Sequence, residues 1–188
     1  MRKVIAAINT TIDGICDHTA GLPDEEIHQH YTDLITSADV ILYGRTTYQL
    51  MQYWQTLLAH PSGEKTADDF ARAIDTIQKI IFTHTLKSTD WKSAELASKP
   101  LEELVRELKK QLGKDILVGS RSLIIQLLNL NLIDEFQLCI HPVIAGKGSP
   151  LFENIQCDMA IFKLNKMKHF MNGAVTLYYE PTNQQIPK

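Results

Sequence analysis

Residues 41–51 read ILYGRTTYQLM. The apolar run at 40–43 has the composition of a buried strand, and the segment after Arg45 has the apolar spacing of a helix. A strand can pass into a helix with only a turn residue and a cap, and Gly44 and the two threonines meet both needs. The guanidinium of Arg45 is not required by such a connection. The stretch therefore predicts a strand followed by a helix. It also raises the question of whether Arg45, which lies between the two, binds a ligand.

The same alternation of short apolar strands and amphipathic segments continues along the chain. It predicts strands at 3–9, 39–43, 80–82 and 116–118, and helices at about 23–36, 46–51, 66–76, 101–112 and 122–129. Three further strands, at 135–144, 158–164 and 174–180, follow one another without a helix. Alternating buried strands and helices form a mostly parallel sheet that is covered on both faces. The fold class is therefore α/β, with a mixed central sheet and an antiparallel C-terminal edge.

The composition limits the classes of function. The chain has 188 residues, 44% of them hydrophobic and 22% charged, which predicts one soluble domain at 1–180 and a polar tail at 181–188. The net charge of −3 argues against a nucleic-acid-binding surface. The longest apolar region, 123–133, is interrupted by polar residues and does not predict a membrane span. Three cysteines without CxxC spacing and the absence of a signal-peptide pattern predict a cytoplasmic protein.

Polar residues follow three of the predicted parallel strands. In open α/β sheets, ligands bind beyond the carboxyl ends of the strands. The segments at those ends are 44–47, 83–85 and 119–122, with the sequences GRTT, THT and GSRS. An arginine can contact a phosphate through two N–H groups, and a helix N-terminus attracts negative charge. Neither the GxxxxGK[ST] nor the GxGxxG pattern is present.

Each of the three segments has a simpler explanation when it is considered alone. Serine and threonine at a helix start are usually N-caps, and a single arginine is usually a solvated surface charge. Three such segments at neighbouring strand ends are harder to explain in this way. Together they predict a long ligand with several phosphates, such as a dinucleotide.

Four motifs occur in a characteristic order: GRTTY at 44–48, IIFTHTL at 80–86, ILVGSRSL at 116–123 and LIDEFQLCIHPVIAGKGSPLF at 132–152. In this order the chain resembles the dihydrofolate reductase-fold family. Within that family it is most similar to bacterial proteins that resemble the C-terminal reductase domain of the riboflavin-biosynthesis deaminase/reductase. The TIDG sequence at 11–14 resembles the SLDG-like stretch of that group. The resemblance covers nearly the whole chain, from about residue 2 to 180.

The resemblance implies a three-layer fold, NADPH as cofactor and a homodimer joined through the β-rich C-terminal part. It implies that Arg45 and Thr46 lie near the adenosine 2′-phosphate and Thr47 near the pyrophosphate. The remaining implied cofactor-binding residues are Thr83, His84 and Thr85 along the adenosine side, Gly44, Gly119, Ser120, Arg121 and Ser122 around the phosphates, and Ala7 near the nicotinamide. The dihydrofolate reductases carry a glycine pair where this chain has Gly119 and Ser120.

The implied reaction is hydride transfer to a pterin-like or aminopyrimidine-like substrate, similar to that of 5-amino-6-(5-phosphoribosylamino)uracil reductase. Glu25 and Asp13 are the candidate catalytic residues, because a proton must accompany the hydride. Both have structural alternatives: Glu25 as first-turn helix charge, and Asp13 as a turn residue that supports Gly14. Dihydrofolate reduction, and nucleotide binding without turnover, remain alternatives. No metal site is predicted, because His28 and His30 would point to different faces of a helix.

Overall fold

The computed structural model describes residues 1–156 and 160–182. The strands are β1 (Val4–Thr11), β2 (Ala38–Gly44), β3 (Gln78–Phe82), β4 (Ala94–Leu96), β5 (Asp115–Val118), β6 (Glu135–His141), β7 (Phe162–His169) and β8 (Val175–Pro181). The helices are α1 (Glu25–Thr36), α2 (Arg45–Met51), α3 (Tyr53–Ala59), α4 (Lys65–Thr76), α5 (Leu101–Lys110) and α6 (Arg121–Asn129).

All eight strands belong to one sheet, in the order β4-β3-β2-β5-β1-β6-β8-β7. The strands from β4 to β6 in that order run parallel to their neighbours. Strand β8 runs antiparallel to both β6 and β7. The predicted α/β class, with a mostly parallel sheet and an antiparallel C-terminal edge, is therefore confirmed.

Helices cover both faces of the parallel part of the sheet. Successive side chains of a strand point to opposite faces, so β1 contributes to the core on both sides. On one face, Val4 and Ala6 of β1 pack with α5 and α6, which contribute Leu101, Val105, Leu108, Leu123, Ile124 and Leu127. On the other face, Ile5 of β1 packs with α1, α2 and α4, which contribute Ile35, Tyr48, Phe70 and Ile74. The sheet is thus the middle of three layers.

Several predicted boundaries are wrong. Strand β6 ends at His141 rather than at 144, since Pro142 has no N–H group to continue the ladder. Strand β7 covers 162–169 rather than 158–164, and residues 158 and 159 of the prediction lie outside the described part of the chain. The predicted tail at 181–188 lies mostly outside it as well, because the described residues end at 182. Helix α3 and strand β4 were not predicted.

Helix α5 is shorter than the predicted 101–112, and Gly113 lies beyond its end. The helix already ends at Lys110, and Gln111 follows it with extended backbone angles. A Cβ atom at Gly113 would lie 2.6 Å from Oδ2 of Asp39, and the φ angle there is +153°. Glycine is therefore required at this position by a close approach to another segment.

Among the described residues, no helix combines the length and the apolar character that crossing a membrane requires.

Candidate functional site

The three polar segments predicted from the sequence lie side by side. Strands β3, β2 and β5 are consecutive in the sheet and parallel. Their carboxyl ends therefore open on the same edge, which brings together residues 83–85, 44–47 and 119–122. We call these three segments the strand-end site. The sheet order thus gives them the adjacency that a single elongated ligand would need.

Side-chain contacts connect the three segments directly. The backbone N–H of Gly44 donates to Oγ of Ser120 at 2.8 Å, which joins the end of β2 to the start of α6. Nη1 of Arg45 donates to Oγ1 of Thr85 at 2.9 Å. The hydroxyl of Thr83 accepts from the backbone N–H of Thr85 at 3.1 Å and therefore shapes the turn after β3. Each segment is held relative to the next by at least one hydrogen bond.

The two glycines of the site allow close packing rather than unusual backbone angles. A Cβ atom at Gly119 would lie 3.2 Å from Cε1 of Tyr43, tighter than most real contacts. At Gly44 it would lie 3.4 Å from Oγ of Ser122, and the φ angle of −79° is open to any residue. Gly44 is therefore not needed for a tight turn. A Cβ atom there would make ordinary van der Waals contact with Ser122 and Ser120, so the approach of β2 to the start of α6 favours a small residue without requiring glycine.

The donors that remain for an anion are on the exposed side of the site. Arg45 and Thr46 are exposed and Thr47 is half-buried, all in the first turn of α2. Ser122 is exposed in the first turn of α6, whose opening N–H groups have no partner within the helix. Ser120 differs, since it is buried and its hydroxyl already accepts from Gly44. These donors fit the phosphate groups of a dinucleotide in chemical type.

Arg121 lies at the site but its side chain is directed elsewhere. Its Nε donates to the carbonyl oxygen of Pro150 at 2.6 Å, and its Nη2 forms an ion pair with Glu153. Both partners belong to the segment that follows β6. The guanidinium predicted to contact phosphate is therefore engaged within the protein, and it connects the start of α6 to residues 150–153.

Asp13 has the structural role that was the alternative to catalysis. Its carboxylate accepts hydrogen bonds from the hydroxyl of Thr11, from the N–H of Gly146 at 2.7 Å and from the N–H of Ala145 at 3.1 Å. These hydrogen bonds, in that order of effect, lower the pKa of Asp13 from 3.8 to about 2. A carboxyl group with this pKa is ionised at neutral pH and has no proton to donate. The structure therefore argues against Asp13 as the proton donor.

The contacts of Asp13 belong to a larger pairing between two loops. Residues 11–16 follow β1, residues 143–151 follow β6, and β1 and β6 are neighbours. The N–H of Cys16 donates to the oxygen of Ser149 at 3.0 Å, and that of Leu151 donates to the oxygen of Gly14 at 2.8 Å. A Cβ atom at Gly148 would lie 2.6 Å from Cγ2 of Ile15. We call these segments the paired loops; they lie beside the strand-end site, at the ends of β1 and β6.

The other predicted residues flank the same edge. Ala7 is buried within β1, and Glu25 is exposed in the first turn of α1, where its side chain has no hydrogen bond to the described residues. His141 is 1% exposed at the end of β6, where its Nδ1 accepts from the N–H of Leu22 at 3.2 Å. This contact fixes the segment that leads into α1. His84 is exposed between two threonines of the strand-end site.

Two cavities were not foreseen from the sequence. A groove of about 560 Å³ lies between α1 and α4, next to Ala38 at the start of β2, on the opposite edge of the sheet from the predicted site. A smaller cavity of about 280 Å³ lies next to the strand-end site, between α2 and the loop that follows β3. It is lined by Tyr48, Gln49, Gln52, Leu86, Ser88 and Asp90.

Known proteins resemble the chain over its whole length. The model of the family described as the RibD C-terminal domain matches residues 2–176. The uncharacterized protein YyaP of Bacillus subtilis is 33% identical over 182 residues, which cover 95% of this chain and 94% of that protein.

Two solved structures have the same fold at low sequence identity. One is from Shewanella sp. PV-4 and is provisionally described as a riboflavin biosynthesis protein; it is 16% identical, covers 97% of this chain and 100% of its own, and has a TM-score of 0.70. The other is a pyrimidine reductase-like protein from Corynebacterium diphtheriae, 18% identical over 97% of this chain and 93% of its own, with a TM-score of 0.66.

Proposed function

The chain belongs to the RibD C-terminal domain family, and from that premise we propose that it is an NADPH-dependent reductase of a small aminopyrimidine-like or pterin-like compound. Membership in this family implies reductase activity. The observation that supports the cofactor most directly is the strand-end site. Three donor-bearing segments lie on consecutive parallel strands, and the exposed Arg45 lies among them.

The residues of the strand-end site divide the binding of NADPH among them. Arg45 and Thr46 bind the 2′-phosphate, Thr47 and the N–H groups that open α6 bind the pyrophosphate, and residues 83–85 lie along the adenosine. The fixed contacts between Arg45 and Thr85 and between Gly44 and Ser120 hold these donors in place before the cofactor arrives. Donors that are ordered in advance lose less entropy on binding.

The nicotinamide supplies the hydride, and the chain's own residues determine where it points and what surrounds it. Ala7 and the paired loops lie next to the strand-end site along the sheet, because β1 and β6 follow β5 in strand order. The ionised Asp13 keeps the two loops together and does not deliver a proton. Glu25, at the start of α1, stays a prediction for the group that accompanies hydride transfer with a proton.

We also propose that the protein forms a homodimer through its C-terminal strands. Residues that pair across antiparallel strands lie on the same face, and on one face these include Ile140, Val175, Leu177, Leu164 and Met167. All five are exposed or half-buried, whereas α1 covers the opposite face through Ile27 and Tyr31. An uncovered apolar sheet face of this kind is typical of a protein–protein contact.

The proposal predicts that Arg45 selects NADPH over NADH. We expect NADPH at 100 times its Kd to stabilise the protein by about 2.7 kcal/mol, which raises Tm by roughly 5–10 °C for a chain of this size. Arg45→Ala removes a charge-assisted hydrogen bond to the 2′-phosphate. The Kd for NADPH should then rise by about 10- to 100-fold, while the Kd for NADH should change by less than about two-fold. Fluorescence titration of both cofactors measures the two constants.

Arg72→Ala is the matched control, because Arg72 lies on α4 at the groove on the opposite edge of the sheet. It should leave both dissociation constants unchanged. Equal weakening of NADPH and NADH by Arg45→Ala would show that the arginine does not contact the 2′-phosphate. A wild-type protein whose Tm neither cofactor raises would contradict the proposed function itself.

A further inference from the structure

Helix α2 carries Arg45, yet it is only loosely attached to the rest of the molecule. The helix has seven residues, and Tyr48 is its one buried residue, with 3% of its surface exposed. Its remaining residues are exposed or half-buried. Packing in the core therefore fixes the position of α2 mainly through the ring of Tyr48, together with the half-buried Met51, which packs against the same cluster. Any further constraint on the direction of Arg45 must come from polar contacts.

Those contacts all reach the loop that follows β3. Gln52 directly follows α2 and keeps helical backbone angles. Arg45, Tyr48 and Gln52 are spaced three and four residues apart, so they lie on one side of the helix. Arg45 donates to Thr85 near the start of the loop at 2.9 Å. The hydroxyl of Tyr48 and Nε2 of Gln52 donate to the same oxygen, Oδ1 of Asp90, at 2.6 and 2.7 Å. One side of α2 is thus bonded to both ends of one loop.

The far end of that loop is firmly fixed. Trp91, next to Asp90, is 2% exposed, and its Nε1 donates to Oδ1 of Asp75 at 2.7 Å. The ammonium of the buried Lys79 lies 4.1 Å from the centre of the indole ring. Asp90 is therefore a rigid acceptor, and the exposed helix α2 is the part whose orientation depends on the bond. The hydrogen bond from Tyr48 contributes most to keeping the pKa of Asp90 low, so its carboxylate is ionised and the bond is charge-assisted.

Few other contacts restrain the orientation of α2, because a cavity separates it from the middle of the loop that follows β3. The 280 Å³ cavity lies between the contact at Thr85 and the contacts at Asp90. Side chains that line a cavity lack close neighbours on that side and lose the corresponding dispersion contacts. The helix could rotate into this space if the contacts at Asp90 were removed. The direction of Arg45 would then be restrained by Thr85 alone.

From these contacts we propose that Tyr48, through its hydrogen bond to Asp90, is a positioning residue that orients Arg45 and thereby determines the preference for NADPH over NADH. The inference rests on the proposed function. Tyr48 does not contact the cofactor in this role; it acts through α2. The Tyr48–Asp90 pair determines cofactor specificity, because NADH has no 2′-phosphate and a correctly directed guanidinium does not strengthen its binding.

Tyr48→Phe tests the proposal, because it keeps the buried ring and the net charge and removes only the hydroxyl. The Kd for NADPH should rise by about three- to ten-fold, which corresponds to the loss of one hydrogen bond. The Kd for NADH should stay within about two-fold of the wild-type value. Fluorescence titration gives both constants, and a thermal melt of the same samples reports on folding. Tyr53→Phe is the control, since Tyr53 is 60% exposed on α3.

The outcomes separate a positioning role from a merely structural one. Equal loss of affinity for both cofactors, or no loss for either, would overturn the inference. In an Arg45→Ala background the added Tyr48→Phe change should leave the NADPH/NADH ratio unaltered, because residues that act as a unit are not additive. If Arg45→Ala removes the preference and Tyr48→Phe does not, only the role of Tyr48 is wrong. If Arg45→Ala leaves the preference intact, the assignment of Arg45 to the 2′-phosphate is wrong and the role of Tyr48 falls with it, whereas a Tm that neither cofactor raises contradicts the proposed function.

Discussion

His30 lies on α1 with 7% of its surface exposed, against Phe170 and beside the rings of Tyr31 and Tyr178. Burial, followed by the positive charge of Lys168, lowers the pKa of His30 from 6.5 to about 4. The ring is therefore neutral at pH 7. At low pH a charge has to be accommodated between α1 and the sheet, where little water can solvate it.

The free energy of unfolding should consequently fall as the pH drops from 6.5 to 4. In that interval the unfolded chain binds a proton at His30 and the folded chain does not, so acid favours unfolding. One pKa unit corresponds to about 1.4 kcal/mol, so the interval represents at most about 3.5 kcal/mol. Urea titrations between pH 4 and 7 should show that acid lowers the free energy of unfolding less in His30→Phe than in the wild type. His60→Gln, on the exposed end of α3, should behave like the wild type; a His30→Phe curve parallel to the wild-type curve would contradict the assignment.

Residue types predicted that the three segments of the strand-end site would lie together, as they do in the sheet, but they could not show which polar atoms were still without a partner. Ser120 and Ser122 are both serines at the start of α6, yet only the hydroxyl of Ser120 is buried and already occupied by Gly44. Asp13 likewise had two roles open to it until its distances to Gly146 and Ala145 were known. These distances depend on how separate segments approach, which the order of residues along the chain does not specify.

At the scale of elements, β7 and β8 extend the sheet beyond the helices. A register shift between Leu164 and Lys166 lets Leu164 pair with Tyr179 and Met167 pair with Leu177. The shift places Leu164 and Met167 on the same face although they are three positions apart, which a regular strand would not allow. The face that they form with Leu177 is the one that we assign to the dimer contact.

We therefore expect Met167→Lys to convert a dimer into a monomer. Met167 is 62% exposed in the single chain, and a lysine there would be buried against an apolar surface without a partner. Light scattering coupled to gel filtration should show about half the wild-type mass. Lys163→Glu changes the charge of the same strand on the opposite face and should leave the mass unchanged. A wild-type protein that is monomeric at high concentration would contradict the proposed contact.

Long apolar elements were predictable from the sequence and short or polar ones were not. Strands β2 and β5 carry continuous apolar runs, and both were predicted within about two residues. Strand β4 has three residues, none of them buried, so its sequence carries no periodic signal. The sequence FKLNKMKH of β7 lacks regular alternation because the register shift interrupts it. Such elements form because a neighbouring strand offers an edge, which is a property of the assembled sheet.

At the scale of the whole molecule, the single sheet predicts cooperative unfolding. Both tryptophans, Trp54 and Trp91, pack with the cluster beside β2 and β3, at one end of the sheet, whereas far-UV circular dichroism reports on all elements. Because one sheet connects the two ends, urea should abolish both signals at the same midpoint. A tryptophan transition at a lower urea concentration would indicate that residues 1–180 do not form a single domain.

The class of the fold followed from the alternation of elements, but the order of the strands did not. Alternation predicts parallel strands with helices between them, and several strand orders satisfy it. In the structure β5 lies between β2 and β1, which brings 119–122 beside 44–47. Sequence spacing cannot supply this insertion, because the strands that meet are more than 70 residues apart.

The position of β1 has a consequence for how the protein is made. This strand is synthesised before both of its neighbours, and in the finished sheet Val4 pairs with Ile116 and Ile5 pairs with Glu135. At a translation rate of about 5–20 residues per second, roughly 6–20 seconds pass before the first of these partners exists. Throughout that time the apolar residues of β1 remain on the growing chain without a sheet to join. The sheet therefore cannot form around β1 until β5 and β6 have been synthesised, and until then β1 is a segment that a chaperone would have to protect.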